Sequence, residues 1–145
     1  RRGYRDLWLA HLLDAGLPLF HRFTDKSAEN SVGQKGYIEL LKRGCTTISS
    51  GLVASQEHTI NFRIFEAIAA KTTLLQLDFA ELRNYFVPCV HYAPFGNVNQ
   101  LISTARFLGR HPEIRESLAY EALTWYRERY AATLFWRTMT ARLAH

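Results

Sequence analysis

The run Asn61 to Leu75, NFRIFEAIAAKTTLL, sets an arginine and a glutamate into an otherwise apolar helix that leads straight into an apolar strand. Arg63 and Glu66 stand three positions apart, so their side chains leave the helix on the same face, one turn from each other. Asn61 has the side chain of a helix N-cap. Just inside it, the backbone amides of Phe62, Arg63 and their neighbours have no intrahelical acceptor, and together with the helix dipole they make a ready anion site. A cation at Arg63 opposes that dipole, and a bound diphosphate would account for its presence. Glu66 on the same face has the chemistry to accept two hydroxyls of a ribose. Two plainer readings stand beside this one: an arginine that is simply solvated, and an intrahelical Arg63–Glu66 pair contributing about 0.2–0.5 kcal/mol.

The elements that must position these residues alternate along the chain. Residues 4–14 (YRDLWLAHLLD) read as a helix stopped by Gly16, and 17–20 (LPLF) as a short buried strand. After a polar irregular stretch, 21–36, a short helix over 37–44 leads into a β-branched strand over 45–49 (CTTIS) and a loop over 50–60. The helix from Asn61 to Ala70 is followed by a strand over 72–77, a short helix over 79–86, a strand over 89–93 (CVHYA) and a helix over 97–108. Pro112 suits the first position of a helix reaching about Tyr130, and a last helix over 132–143 (ATLFWRTMTARL) closes the chain.

Strands that alternate with helices, each reading as a continuous apolar run, predict an α/β fold. Specifically, they predict a Rossmann-like parallel sheet of about four strands flanked by helices, with two C-terminal helices packed as a pair. In such sheets ligands bind beyond the carboxyl ends of the strands, which selects the loops His21–Phe23, Ser49–Ile60, Leu77–Phe79 and Ala93–Asn97. The second of these is the longest and opens into the helix of Arg63 and Glu66. The final forty residues are rich in rings, Tyr120, Trp125, Tyr126, Tyr130, Phe135 and Trp136, as core or as a surface for a missing part of the chain.

With 145 residues and 48% hydrophobic content, the chain is read as a single domain, 1–145, with a true core. It begins at Arg1 and is read as a piece of a longer protein. No apolar run is long enough for a membrane span, and no secretory signal is visible. The net charge of +5 comes from basic residues scattered among acids. A nucleic-acid surface would need a clustered stripe, so no nucleic-acid partner is expected, and a basic pocket for a small phosphorylated ligand fits the same charge. Cys45 and Cys89 lie beside strand-like runs and are expected to be buried thiols in a reducing, cytoplasmic setting. No GxGxxG, no GxxxxGK[ST] and no nucleophile elbow is present, since Ser55 in GLVAS lacks flanking glycines. The six histidines show no metal-ligand spacing, so no metal is expected.

The segment FRIFEAIAAKTTLL resembles the donor-binding segment of GT-B glycosyltransferases, in which a helix of the type R-x-F-E-A-x-A precedes an apolar strand. The likeness is to the group 1 and spore-maturation-type glycosyltransferases, and it extends upstream through RGYRDLWLAHLLDAGLPLFHR and KGYIELLKRGCTTISS. Downstream it continues through NYF, VHYA, the helix at Asn97 and HPEIRESLAYEALTWYRERY. Exostosin-like glycosyltransferases share a similar R-x-x-E-A segment.

The resemblance implies that the chain is half of a GT-B fold, the C-terminal domain that holds a nucleotide-diphosphate sugar, without an obligatory metal or other cofactor. The acceptor would sit on a missing N-terminal domain of the same chain, and the isolated piece should not transfer sugar efficiently. It also implies that Glu66 binds the ribose hydroxyls, that the amides at Asn61 and Phe62 meet the diphosphate with Arg63, and that Ser50 and Gly51 form the loop after the strand. Two positions depart from the pattern. His58 stands where many relatives carry a first glutamate, with Glu57 one step away, and Lys71 replaces a glycine near the helix end. These departures keep open an alternative, a Rossmann-like nucleotide-binding or interaction module without activity.

Overall fold

The computed structural model describes residues 4–19, 34–51 and 58–130. Helices α1 (Tyr4–Asp14) and α2 (Gln34–Arg43) precede strand β1 (Thr46–Ser49), helix α3 (Phe62–Ala69) and strand β2 (Thr73–Leu77). Helix α4 (Ala80–Arg83), strand β3 (Ala93–Phe95) and helices α5 (Val98–Arg110) and α6 (Pro112–Tyr130) complete the described chain. The three strands form one sheet in the order β1-β2-β3, parallel throughout, with Ser49 opposite Gln76 and Leu77 opposite Phe95. This is a Rossmann-like α/β half-domain, with α5 and α6 as consecutive helices after the last strand.

Central position makes β2 wholly buried, which is why TLLQL reads as an unbroken run instead of an alternating one. Its side chains divide between two cores. On one face Leu74 packs with Ile64, Ala67 and Ile68 of α3, Leu82 of α4 and Ala122 of α6. On the other, Leu75 and Leu77 pack with Leu12 of α1, Phe95 of β3, Leu101 and Leu108 of α5, and Leu118 of α6. Helix α6 thus contributes to both faces, and the Thr73 hydroxyl, at the start of β2, donates to the Arg115 carbonyl of α6 at 2.7 Å. The helix therefore passes the amino end of β2 from one layer to the other, and the carboxyl ends of the strands face the opposite side. Helix α2 is anchored on the α3 side, where the buried Thr72 hydroxyl donates to the Leu41 carbonyl at 2.6 Å.

Helix α3 ends in a Schellman motif. The Thr72 amide donates to the Ala67 carbonyl at 2.9 Å and the Lys71 amide to the Ile68 carbonyl at 3.0 Å. Closing that turn puts Lys71 at φ +57°, the left-handed region that glycine reaches without strain. A glycine would take this conformation without strain, and lysine occupies the site at a conformational cost.

Several expectations need correction. Leu17, Pro18 and Leu19 of the LPLF run belong to no strand, because Gly16, at φ +70°, turns the chain back and the Leu17 amide returns to the Leu12 carbonyl at 3.2 Å. Leu17 and Leu19 still pack on the α1/α5 core. The strand expected over CVHYA begins only at Ala93. Residues 87–91 form a turn instead, in which the His91 amide donates to the Val87 carbonyl at 2.9 Å and the Val87 amide to His91 Nδ1 at 3.1 Å. Cys89 lies in that turn at φ +61°, and both Cys45 and Cys89 are exposed, not buried. The short helix expected over 79–86 contracts to one turn, Ala80–Arg83. The last helix, over 132–143, and the loop His21–Phe23 lie outside the described residues. Among the described residues no helix is long and apolar enough to cross a membrane.

Candidate functional site

At the carboxyl edge, β1 ends at Ser49 and the chain turns at Gly51, whose φ is +64°. A Cβ on Gly51 would stand 2.7 Å from the Thr59 carbonyl oxygen and 3.2 Å from the Phe79 ring, so only glycine fits. The Thr59 amide donates to the Gly51 carbonyl at 2.7 Å, a latch that brings the two ends of the loop together before α3 begins. His58, on the returning limb, is exposed and stacks on Phe79, with ring centroids 5.1 Å apart. Ser50 and Gly51 on one limb and His58 on the other are therefore neighbours across the latch. Glu57 lies outside the described residues.

Asn61 occupies the N-cap position with extended backbone, φ −106° and ψ 163°, but its side chain does not cap the helix. Its Oδ1 is buried without a hydrogen-bond partner. Two more such atoms, Ser49 Oγ and Gln76 Oε1, belong to residues paired across β1 and β2 on the sheet face that α3 covers. Gln76 Nε2 donates to the Leu77 carbonyl at 2.9 Å, which leaves its oxygen as the orphan. Buried polar atoms without partners are uncommon, and here all three belong to the residues that lead out of the strands or into the helix.

In the first turn of α3, Phe62 is 85% exposed and Arg63 is exposed. One turn on, Glu66 is exposed as well, and its Oε2 accepts a hydrogen bond from the Tyr37 hydroxyl of α2 at 2.9 Å. Among the described residues Glu66 does not pair with Arg63, so the intrahelical ion pair is not what holds these charges. Burial, and then the Glu66 carboxylate, push the Tyr37 phenol above its ordinary range, while the Arg63 cation pulls in the opposite direction. The structure brings Asn61, Phe62, Arg63 and Glu66 to one helix end, with Ser50, Gly51 and His58 on the loop that feeds it.

A second polar group sits at the end of β2. The Asp78 carboxylate accepts from Arg83 Nε at 3.1 Å, from Arg83 Nη2 and from the Tyr92 hydroxyl at 2.8 Å. The guanidinium foremost, and then Tyr92, hold Asp78 below the usual carboxylate range against the effect of partial burial. Burial and the Asp78 carboxylate raise the Tyr92 phenol far above its usual value. The Asp78 amide also donates to the Phe95 carbonyl at 2.9 Å, so this cluster ties the ends of β2 and β3 together. Asp78 lies in the loop Leu77–Phe79 at the carboxyl end of β2, but its partners Arg83 and Tyr92 carry no local sequence signal. Tyr37 was missed for the same reason, lying 29 positions from Glu66. Among the described residues no group of three or more His, Cys, Asp or Glu side chains is arranged to hold a metal ion.

A parallel α/β half-domain, closed at its amino edge by α6 and opening at its carboxyl edge toward a helix start with one cation and one carboxylate, defines the class. The chain belongs to the glycosyl transferase-like family, whose model matches residues 7–143, and its role at that level is glycosyl transfer. No curated protein and no solved structure matches it.

Proposed function

We propose that this chain holds the donor of a glycosyl transfer, a nucleotide-diphosphate sugar, as the C-terminal half of a GT-B enzyme whose acceptor lies on a preceding N-terminal domain. The observation that carries this reading is the exposed Glu66 carboxylate, held by Tyr37 one turn behind the open start of α3 at the carboxyl edge of the sheet. A carboxylate accepts hydrogen bonds only, which suits the vicinal hydroxyls of a ribose. A helix start with an arginine beside it suits the diphosphate. Ser50, Gly51 and His58 lie on the limbs that lead into α3, and Ser49, Gln76 and Asn61 keep buried side-chain oxygens without partners at the strand ends and the helix start.

In the transfer, the bond between the anomeric carbon and the diphosphate oxygen breaks while the oxygen of an acceptor hydroxyl bonds to that carbon and gives its proton to a base on the acceptor side. The nucleoside diphosphate leaves with an added negative charge. First-turn amides of α3 and the Arg63 guanidinium are fixed in place before that charge develops, and this preorganisation is their contribution to the rate.

Thermal melts of the chain with UDP, GDP, ADP, CMP and dTDP, repeated on Glu66→Ala, test the reading. A nucleotide at a hundred times its Kd adds about 2.7 kcal/mol of stability. One nucleotide raising the melt, and Glu66→Ala abolishing the rise without changing the ligand-free melt, is the expected result. No shift from any of the five removes this chain as a self-sufficient donor site.

A further inference from the structure

We propose that Tyr37 is a positioning residue for Glu66, fixing the carboxylate so that it accepts both hydroxyls of a ribose and thereby setting the preference for ribonucleotides over 2′-deoxyribonucleotides. This rests on the donor-site reading above and goes beyond it.

Glu66 stands on an exposed helix face, where a glutamate side chain ordinarily samples several rotamers and loses that freedom on binding a ligand. Here the Tyr37 hydroxyl, 2.9 Å from Oε2, holds it in one of them. Tyr37 is itself half-buried, and its helix is fastened to the residue before β2 by the bond from Thr72 to the Leu41 carbonyl. The sheet thus positions α2, α2 positions the phenol, and the phenol positions the carboxylate. A carboxylate offers about four acceptor sites on two oxygens. The phenol takes one on Oε2, which leaves Oε1 and the other lone pair of Oε2 for a pair of neighbouring hydroxyls. A phenol is protonated at neutral pH, and burial and Glu66 move its titration further up against the pull of Arg63, so it is a donor where the carboxylate needs one. A ligand lacking the 2′-hydroxyl uses only part of this arrangement and gains less from it.

The test uses calorimetric titration of wild-type chain, Tyr37→Phe and Glu66→Gln. The probes are whichever of UDP, GDP or ADP the wild type binds most tightly and the 2′-deoxy form of the same nucleotide, with circular dichroism melts as the folding control. Tyr37→Phe keeps the ring and removes only the hydroxyl. It should weaken the ribonucleotide about tenfold, equivalent to about 1.4 kcal/mol, and leave the deoxynucleotide nearly unchanged, so that the ribose preference collapses. Equal weakening of both nucleotides would show a packing role and overturn the proposal. Loss of affinity in Glu66→Gln with none in Tyr37→Phe would also overturn it, while the donor-site reading survived. If neither variant affects binding, Glu66 is not at the ribose and both readings go. Should Tyr37→Phe fail to fold, the NMR titration of the assigned Tyr37 ring signal in Glu66→Gln decides instead. Tyr37 must then titrate at lower pH than in the wild type, and an unchanged titration overturns the coupling.

Discussion

Replacing Gly51 by alanine should be among the most damaging small substitutions in the described chain, and the structure supplies both a magnitude and an internal control. A non-glycine residue in the left-handed region costs about 1–2 kcal/mol. The new Cβ would also stand 2.7 Å from the Thr59 carbonyl oxygen, a backbone atom fixed by its own latch to Gly51, so the loop has to shift or the latch has to break. Strain of that kind, or the lost hydrogen bond, adds about 1–2 kcal/mol. Restricting the unfolded chain returns about 0.4–1 kcal/mol. The net loss is about 2–3 kcal/mol, a fall in Tm of roughly 8 °C for a domain of this size. Gly16 is the control, since its φ is +70° but nothing lies within 4 Å of the Cβ it would gain. Gly16→Ala carries the left-handed cost alone, about 0.5–1 kcal/mol after the unfolded-state offset. Urea unfolding of both variants beside the wild type measures the difference. Equal losses in the two would refute the claim that the Thr59 carbonyl makes position 51 special.

Two further outcomes follow from the same geometry. Lys71→Gly should stabilise the chain by about 0.5–1 kcal/mol, because relief of the left-handed lysine exceeds the entropy of an added glycine; a urea midpoint that stays put or falls contradicts this. His91 is buried and its pKa is lowered, chiefly by burial, with Glu121 of α6 acting against that and Arg129 adding to it. The unfolded imidazole therefore takes up a proton first as pH falls. The stability tied to neutral His91 is complete above about pH 6.5 and drains away below it, as the protonated ring also loses the Val87 amide. Melts between pH 5 and 8 should show Tm dropping on the acid side in wild type, with a flatter profile in His91→Gln.

The stretch from α3 to β2 was legible because two physical signals agreed there. Ile64, Ala67 and Ile68 repeat at helical spacing, and TLLQL is apolar without alternation because both its faces are covered. Where only one signal existed, reading failed. LPLF is apolar enough for a strand, but Leu17 and Leu19 bury themselves from an irregular segment after Gly16. In CVHYA a short apolar run suggested a strand, whereas the Val87–His91 turn is held by an imidazole accepting from a backbone amide, a contact no apolar run encodes. The same holds at the candidate site. Arg63 and Glu66 are close in sequence and were found together, and Asn61 was placed at the helix start although its side chain does not cap it. Tyr37 reaches Glu66 from α2, 29 positions away in the chain, which local spacing cannot report.

The division of β2 between two cores also bears on how the domain comes apart. Leu74 belongs to one hydrophobic cluster and Leu75 and Leu77 to the other, and α6 is the helix that enters both, through Ala122 and Leu118. Neither layer can be lifted away while the other keeps a complete wall, so β2 and the middle of α6 form a single cooperative unit. Their amides should fall in the slowest class in hydrogen exchange, released only on global unfolding, and early exchange along β2 would contradict this. The helix start that carries Arg63 sits at the edge of this unit, on a rigid floor but outside the part that must stay closed.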